Sequence, residues 1–401
     1  MQAFTKLDGH FDWGTALRAE ILREIALQAA VALDSEGLEY MKKVPVEARD
    51  EQLLQWWARL ALARGNWAEV KSAIDAMGDD RVLDSRWRYW RARARIALSG
   101  AAAGRPALEA LSGETRFYGF LAADDLGKPY SICPLRPEVP ATAVSQLREQ
   151  PDIHRALELY AVGLDRWALS EWSLATARLD PSRLKVAAAL ALEEHHYDRA
   201  IFALGDSGEL QYYEWRFPLL WKHVVSRDAG ARHIDPAWLY GIMRSESAMT
   251  VSARSSAGAL GLMQITPSTA KRLAREHGLH YRSSDQLMDA EQNIRFGAWY
   301  LRDLLDRYDH NPVRVSAAYN AGPRVLDNWL SNRPLNPPAR WLETLPYFET
   351  RDYIPRVLAF TTLYDWLLGN PVVRVSSRMA GVTSAGASAA DTAAVACAHS
   401  D

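Results

Sequence analysis

The sequence predicts an all-α protein built of stacked helical hairpins, then connecting helices, then a compact C-terminal helical domain. Three observations lead there. Apolar residues return at spacings of three and four along most of the chain, and strand-like alternation is scarce. A turn–aromatic–small-residue motif recurs as Arg64-Gly65-Asn66-Trp67-Ala68-Glu69, Gly163-Leu164-Asp165-Arg166-Trp167-Ala168 and His195-His196-Tyr197-Asp198-Arg199-Ala200. Trp167 and Tyr197 stand 30 residues apart, close to the period of a helical-hairpin repeat. A hairpin cannot bury its own apolar face, so such units stack into a superhelix.

The repeats extend over the first half of the chain. Within them, Thr115 to Asp124 (TRFYGFLAAD) reads differently, and the proline-rich stretch from Cys133-Pro134 to Pro140 marks a connection. The hairpin pattern stops near Arg216-Phe217-Pro218. A region richer in glycine follows, to about Gly369, and predicts a separate domain. These breaks predict a domain over 217–369 and a tail over 370–401. The last segment is rich in Ala, Ser, Val and Thr with almost no aromatics, which predicts a disordered tail.

Composition excludes several classes. The 401 residues, 48% hydrophobic and 24% charged, suffice for two or three domains with real cores. Lys+Arg 47 against Asp+Glu 49 gives a net charge of −2, against a polybasic nucleic-acid binder. Two cysteines, Cys133 and Cys397, cannot make a disulfide framework, and no Cys/His cluster suggests a metal. No run approaches 18 uncharged apolar residues, so no transmembrane segment is expected. The N-terminal MQAFTKLDGHFDWGT has neither the apolar core nor the cleavage site of an export signal. The 15 Trp and 16 Tyr suit tight helix packing or a sugar-binding groove.

The sharpest chemical signal lies between His233 and Met249. Asp235 followed by Pro236 is a cap with proline at the first helical position. Beyond it, Leu239, Ile242, Met243, Glu246 and Met249 fall on one face, and only Glu246 is polar. An acid on an apolar stripe is desolvated, which favours its protonated form. A protonated acid near neutral pH is what cleavage of a glycosidic bond needs. The bland alternative is a buried Glu neutralised by Arg244. Next comes Ser255-Ser256-Ala257-Gly258-Ala259-Leu260-Gly261-Leu262-Met263-Gln264-Ile265, whose glycines allow close backbone approach. Thr266-Pro267 opens another helix. Ser316-Ala317-Ala318-Tyr319-Asn320-Ala321-Gly322 reads as a helix end, with Gly322 as the stop. Leu345 to Tyr353 (LPYFETRDY) places a second acid, Glu349, among aromatics.

Four of these features, in this order and spacing, resemble the soluble lytic murein transglycosylases: Glu246-Ser247, the GALGLMQI loop, Ala318 to Gly322, and Pro346 to Arg351. The segments Phe117 to Ala123 and Arg216-Phe217-Pro218-Leu219 are similar to that family's linker region. The resemblance implies a lysozyme-like α-domain attached to a helical superhelix that forms part of a ring. It further implies exo-acting cleavage of the β-1,4 bond between N-acetylmuramic acid and N-acetylglucosamine, leaving a 1,6-anhydromuramoyl end. Residues 1–104 would be the later part of the superhelical domain of a longer relative, and 105–216 its linker domain.

Residue by residue, the resemblance implies Glu246 as acid and then base, Ser255 as its hydrogen-bonding partner, and Ser247 as a site-building serine. Met263 and Gln264 match the groove loop, Tyr319 and Asn320 the cleft beside the acid, and Glu349 a second acid that binds or polarises substrate. Asn293 matches a structural asparagine. Met249 departs from the usual aromatic and Thr266 from the methionine of some relatives, which bears on subsite affinity. No cofactor or metal is implied. Peptidoglycan glycan strands are the expected substrate, the periplasm the expected location, a monomer the expected state, and cell-wall synthesis proteins candidate partners. A goose-type lysozyme-like hydrolase and a non-catalytic helical-repeat scaffold are the competing readings. His195, His196, His277 and His280 read as surface histidines. Trp87, Trp90 and Ala94 read as a packed helix face rather than a binding strip.

Overall fold

The structure, a computed structural model, describes residues 4, 6, 10, 11, 13–333 and 337–397. Among these the regular structure is helical, save for the two-residue strands Tyr130–Ser131 and Val395–Ala396, so the all-α expectation holds. Contacts divide the chain into two compact units. The first is Met1–Ser131, Leu304–Ala359 and Val373–Val395; the second is Ile132–Asp303, Phe360–Val372 and Ala396–Asp401. The division falls inside two helices, Ala290–Arg307 and Phe348–Leu368.

In the first unit the helices Glu51–Arg64, Trp67–Met77, Ser85–Ser99, Ala101–Leu111 and Phe117–Leu126 pack each against the next. Short polar side chains set where they begin. Asp50, Asn66 and Asp84 accept from the N–H groups of Leu53, Glu69 and Trp87, satisfying donors that the first turn leaves unpaired. Trp87, Trp90 and Ala94 are buried, as their helical spacing predicts.

The second unit contains Pro151–Ala161, Asp165–Thr176, Pro181–Glu193 and Tyr197–Asp206 around a core that includes Ile153, Trp172, Leu190 and Leu204. The recurring aromatic falls in the first turn of a helix rather than in a core slot. Tyr197 opens its helix half-buried, whereas Trp167 is 66% exposed. No helix among the described residues is long and apolar enough to cross a membrane.

The expectation of a disordered tail is corrected as far as Cys397; residues 398–401 lie outside the described residues. Val373, Val375 and Met379 are buried in the first unit, where Arg374 pairs with Asp124 at 3.0 Å. The N–H of Val375 donates to the Tyr130 hydroxyl at 2.7 Å, and that of Tyr130 to Ala394 O at 2.8 Å. The two cysteines are too few for a framework, yet Cys133 and Cys397 join in a single disulfide within the second unit. Composition missed this order because a few valines and fixed polar contacts suffice once a folded surface exists to receive them.

Candidate active site

Glu246 lies one residue from the end of the Pro236–Ser247 helix. Its start follows the expected chemistry, since the Asp235 side chain accepts from Ala237 N–H at 2.9 Å and Pro236 occupies the first position. Leu239, Ile242 and Met243 are fully buried, and Glu246 is half-buried at the end of that stripe. The helix is clamped along its length. The Tyr240 ring stacks on Tyr364 with centroids 4.9 Å apart, and its hydroxyl donates to Leu220 O at 2.7 Å. Arg244, the candidate neutralising partner, holds its guanidinium over Phe217 at 5.2 Å and Phe360 at 5.1 Å, and donates Nε–H to Arg216 O.

Met249 does not extend the helical stripe. The helix ends at Ser247, and Ala248 and Met249 both take left-handed backbone angles, φ 49° and 69°. Met249 reaches the core from beyond the helix. Each such residue costs about 1–2 kcal/mol without a glycine's freedom, and such strain concentrates at functional sites. Ser247 is buried and its hydroxyl donates back to Met243 O at 3.1 Å.

The following loop folds on itself. Leu260 and Ile265 exchange backbone hydrogen bonds, Ser255 N–H donates to Ala259 O, and Gly261 N–H donates to Ala253 O. Asn293 pins it from the Ala290–Arg307 helix. Fully buried, Asn293 donates Nδ2–H to Leu260 O and Leu287 O, both at 2.8 Å, and its Oδ1 accepts from Met263 N–H at 2.7 Å. Its reading as a structural residue is thus explained. Met263 packs fully buried on Gly297, where a Cβ would lie 2.0 Å from its sulfur. Gln264, at φ 47°, donates Nε2–H to Gly261 O and Ala253 O, so Oε1 is the atom it offers to a ligand. Ser255 is exposed, and its Oγ accepts from Ala259 N–H at 3.0 Å.

A second cluster sits in the first unit. The Pro312–Ala321 helix stops at Gly322 as expected and carries half-buried Tyr319 and Asn320 near its end. Asn320 donates Nδ2–H to Glu349 Oε1 at 2.9 Å and accepts from the Thr350 hydroxyl at 2.7 Å. Glu349 is exposed in the first turn of the Phe348–Leu368 helix, where the helix dipole favours an anion. The structure therefore brings Asn320 and Glu349 together, and separately gathers Met263, Gln264 and Asn293 around one loop. Thr350, which fixes the Asn320 amide, escaped the sequence reading although it stands inside the FETR motif.

The histidines divide. His195 and His280 are exposed, while His196 lies half-buried with its ring 3.9 Å from that of Tyr160. His277 is half-buried too, stacked on Trp299 at 4.0 Å. Its Nε2 lies 2.8 Å from Asp303, in a group with Glu276 of a size to hold a metal. Arg272 bridges both acids there, so a guanidinium supplies the positive charge.

Residues 224–340 match the family model described as the transglycosylase SLT domain, and 146–211 match the soluble lytic murein transglycosylase L domain. The chain is 30% identical over 326 residues to the soluble lytic murein transglycosylase of Salmonella typhimurium, covering 81% of this chain and 50% of that protein. It is 28% identical over 334 residues to the Escherichia coli K12 protein of the same name, covering 83% and 52%. It thus spans about half the length of these curated relatives. The structure overlays on an inactive mutant of the lytic transglycosylase Slt from Pseudomonas aeruginosa with TM-score 0.86 at 33% identity, covering 92% of this chain and 61% of that one. The 70 kDa soluble lytic transglycosylase of E. coli overlays with TM-score 0.78 at 26% identity, covering 90% and 58%. By its two domain matches and these likenesses, the chain belongs to the soluble lytic murein transglycosylase (SLT) family.

Proposed function

We propose that this chain is a peptidoglycan lytic exo-transglycosylase that cleaves the MurNAc-β-1,4-GlcNAc bond and leaves a 1,6-anhydromuramoyl end. One observation carries the reading. Glu246 is the polar member of an otherwise buried helical stripe, half-buried, and followed by two strained left-handed residues. Such an acid is reachable by substrate yet partly removed from water.

Chemically, Glu246 donates its proton to the glycosidic oxygen as the C1–O bond breaks. The resulting carboxylate takes the proton from the muramic C6 hydroxyl as that oxygen bonds C1. Because the nucleophile belongs to the substrate, no second carboxylate is needed at the roughly 5–9 Å separations of ordinary glycosidases. Ser255 retains a hydroxyl proton to donate to the acid, Gln264 offers its amide oxygen to the sugar, and Ser247 and Met263 hold the backbone that shapes the site. Tyr319, Asn320 and Glu349 bind substrate, Glu349 as a carboxylate oriented by the Asn320 amide. Residues 217–369 form the catalytic domain, 105–216 the linker and 1–104 part of the superhelix. The Cys133–Cys397 disulfide supports an oxidising compartment, in keeping with the periplasm.

The test is to digest purified peptidoglycan with wild type and Glu246→Gln and identify product ends by mass spectrometry. Anhydromuramoyl ends from wild type and none from a folded Glu246→Gln are expected. Water-added ends would make the protein a lysozyme-like hydrolase, and activity retained by Glu246→Gln would overturn the assignment of the acid.

A further inference from the structure

The segment from Trp341 to Arg351 is held by a buried ionic cluster that the function above does not use. Glu343 is fully buried; its Oε1 accepts from Trp90 Nε1–H at 3.2 Å and from the Tyr118 hydroxyl, and lies 3.4 Å from Arg86 Nε. Its Oε2 lies 3.6 Å from Nε of Arg59, whose guanidinium sits 4.8 Å over Trp87. Eight residues on, buried Arg351 lies 4.9 Å over Trp56 and donates Nη1–H to Leu345 O and Pro346 O. Arg86 grips the far end as well, donating Nη2–H to Arg351 O at 3.2 Å.

Three guanidiniums against one carboxylate is a poor arrangement for stability. Buried ion pairs are often neutral or worse beside apolar residues of the same volume. Here Nε and Nη2 of Arg59 and Nε of Arg351 are buried without a hydrogen-bond partner. What the cluster achieves is geometric. Arg351 closes the Leu345–Pro346 turn onto the helix start, and Arg86 ties both ends of the segment to the Ser85–Ser99 helix. Between those ties stand Glu349 and Thr350, the two residues that meet Asn320.

We propose that Arg86, Glu343 and Arg351 are positioning residues that set the orientation of Glu349 through the Leu345–Thr350 turn. The proposal rests on the reading that Glu349 binds substrate. A lysine at 351 keeps the charge but loses the planar fork that reaches two carbonyls and the stacking on Trp56. A shift of about 1 Å in a positioning group can cost up to about 100-fold in rate.

The test is a double-mutant cycle on soluble glycan strands, using Arg351→Lys, Glu349→Gln and both together, with Arg86→Lys replacing Arg351→Lys should that variant not fold. Arg351→Lys should raise KM about tenfold with kcat within about twofold, and should change KM by less than about twofold when Glu349 is already Gln, since its effect passes through that residue. Equal losses in both backgrounds, or a loss confined to kcat, would overturn the proposal. Hydrogen exchange of the folded variant is the second readout and does not depend on activity. Faster exchange confined to peptides covering 345–350 supports the proposal even where wild type fails to cleave. Uniform acceleration, or none, refutes it.

Discussion

A Cβ at position 261 would lie 2.2 Å from Leu287 O and 2.3 Å from Asn293 Nδ2, on a backbone with φ 73°. Neither neighbour can give way, because Asn293 Nδ2 is itself bonded to Leu260 O and Leu287 O. Gly261→Ala should cost about 2–4 kcal/mol, the strain of the backbone adding to the clash. Gly258→Ala, at φ 80° but with open space around it, should cost about 1 kcal/mol. Urea unfolding of the two variants checks the difference. Glu343 gives a pH-dependent counterpart. Burial disfavours its charge, yet the guanidiniums of Arg86 and Arg59 and the bonds from Tyr118 and Trp90 outweigh burial and hold the carboxyl below its ordinary 4.5. Burial, in turn, pulls Arg59 down to about 10. A lowered acid stabilises the fold above its unfolded value and loses that contribution as pH falls through the folded one. Glu343→Gln should therefore lose about 3–5 kcal/mol at pH 7, where uncompensated arginines remain. Its remaining stability should vary less with pH than wild type's below about 4.5, as thermal melts across that range would show.

At the scale of elements, the candidate residues gather at helix ends. The Pro236–Ser247 helix begins with a strong cap and ends on a strained pair, and the acid sits one residue before that end. Ala248 occupies the position after the last helical residue, where glycine is usual. Ala248→Gly should therefore raise stability by up to about 1 kcal/mol. Under the proposed mechanism it should also lower kcat, because the end of the helix gains freedom. A thermal melt and a turnover assay on the same preparation decide both; unchanged kcat would show that the strained pair does not hold the acid.

Over the whole molecule, one covalent bond spans 264 residues of sequence, from Cys133 to Cys397. Closing so long a loop restricts the unfolded chain, and such bridges are typically worth about 2–4 kcal/mol. Cys397→Ser, or reduction of wild type, should lower the melting temperature, while Cys397→Ser should be insensitive to reductant. The same bridge shows why composition misread the tail: the cysteine at its end is silent about pairing until folding brings Cys133 within a Cα distance of 4.8 Å.

The sequence by itself determined the helices, their caps and the order of the candidate motifs. These depend on local spacing and on chemistry within a few residues, as Asp235, Pro236 and Gly322 show. Periodicity also placed Trp87 and Trp90 correctly in the core. Only the tertiary structure decided what each polar side chain meets: Arg244 between two phenylalanines, Asn293 beneath the glycine loop, Thr350 on Asn320, and Glu343 beside Arg59 and Arg86 from distant segments. Those partners are separated by tens to hundreds of residues, and no local pattern encodes which buried donor finds which acceptor. Burial makes an unpaired donor or acceptor costly, but only the completed fold supplies the partner.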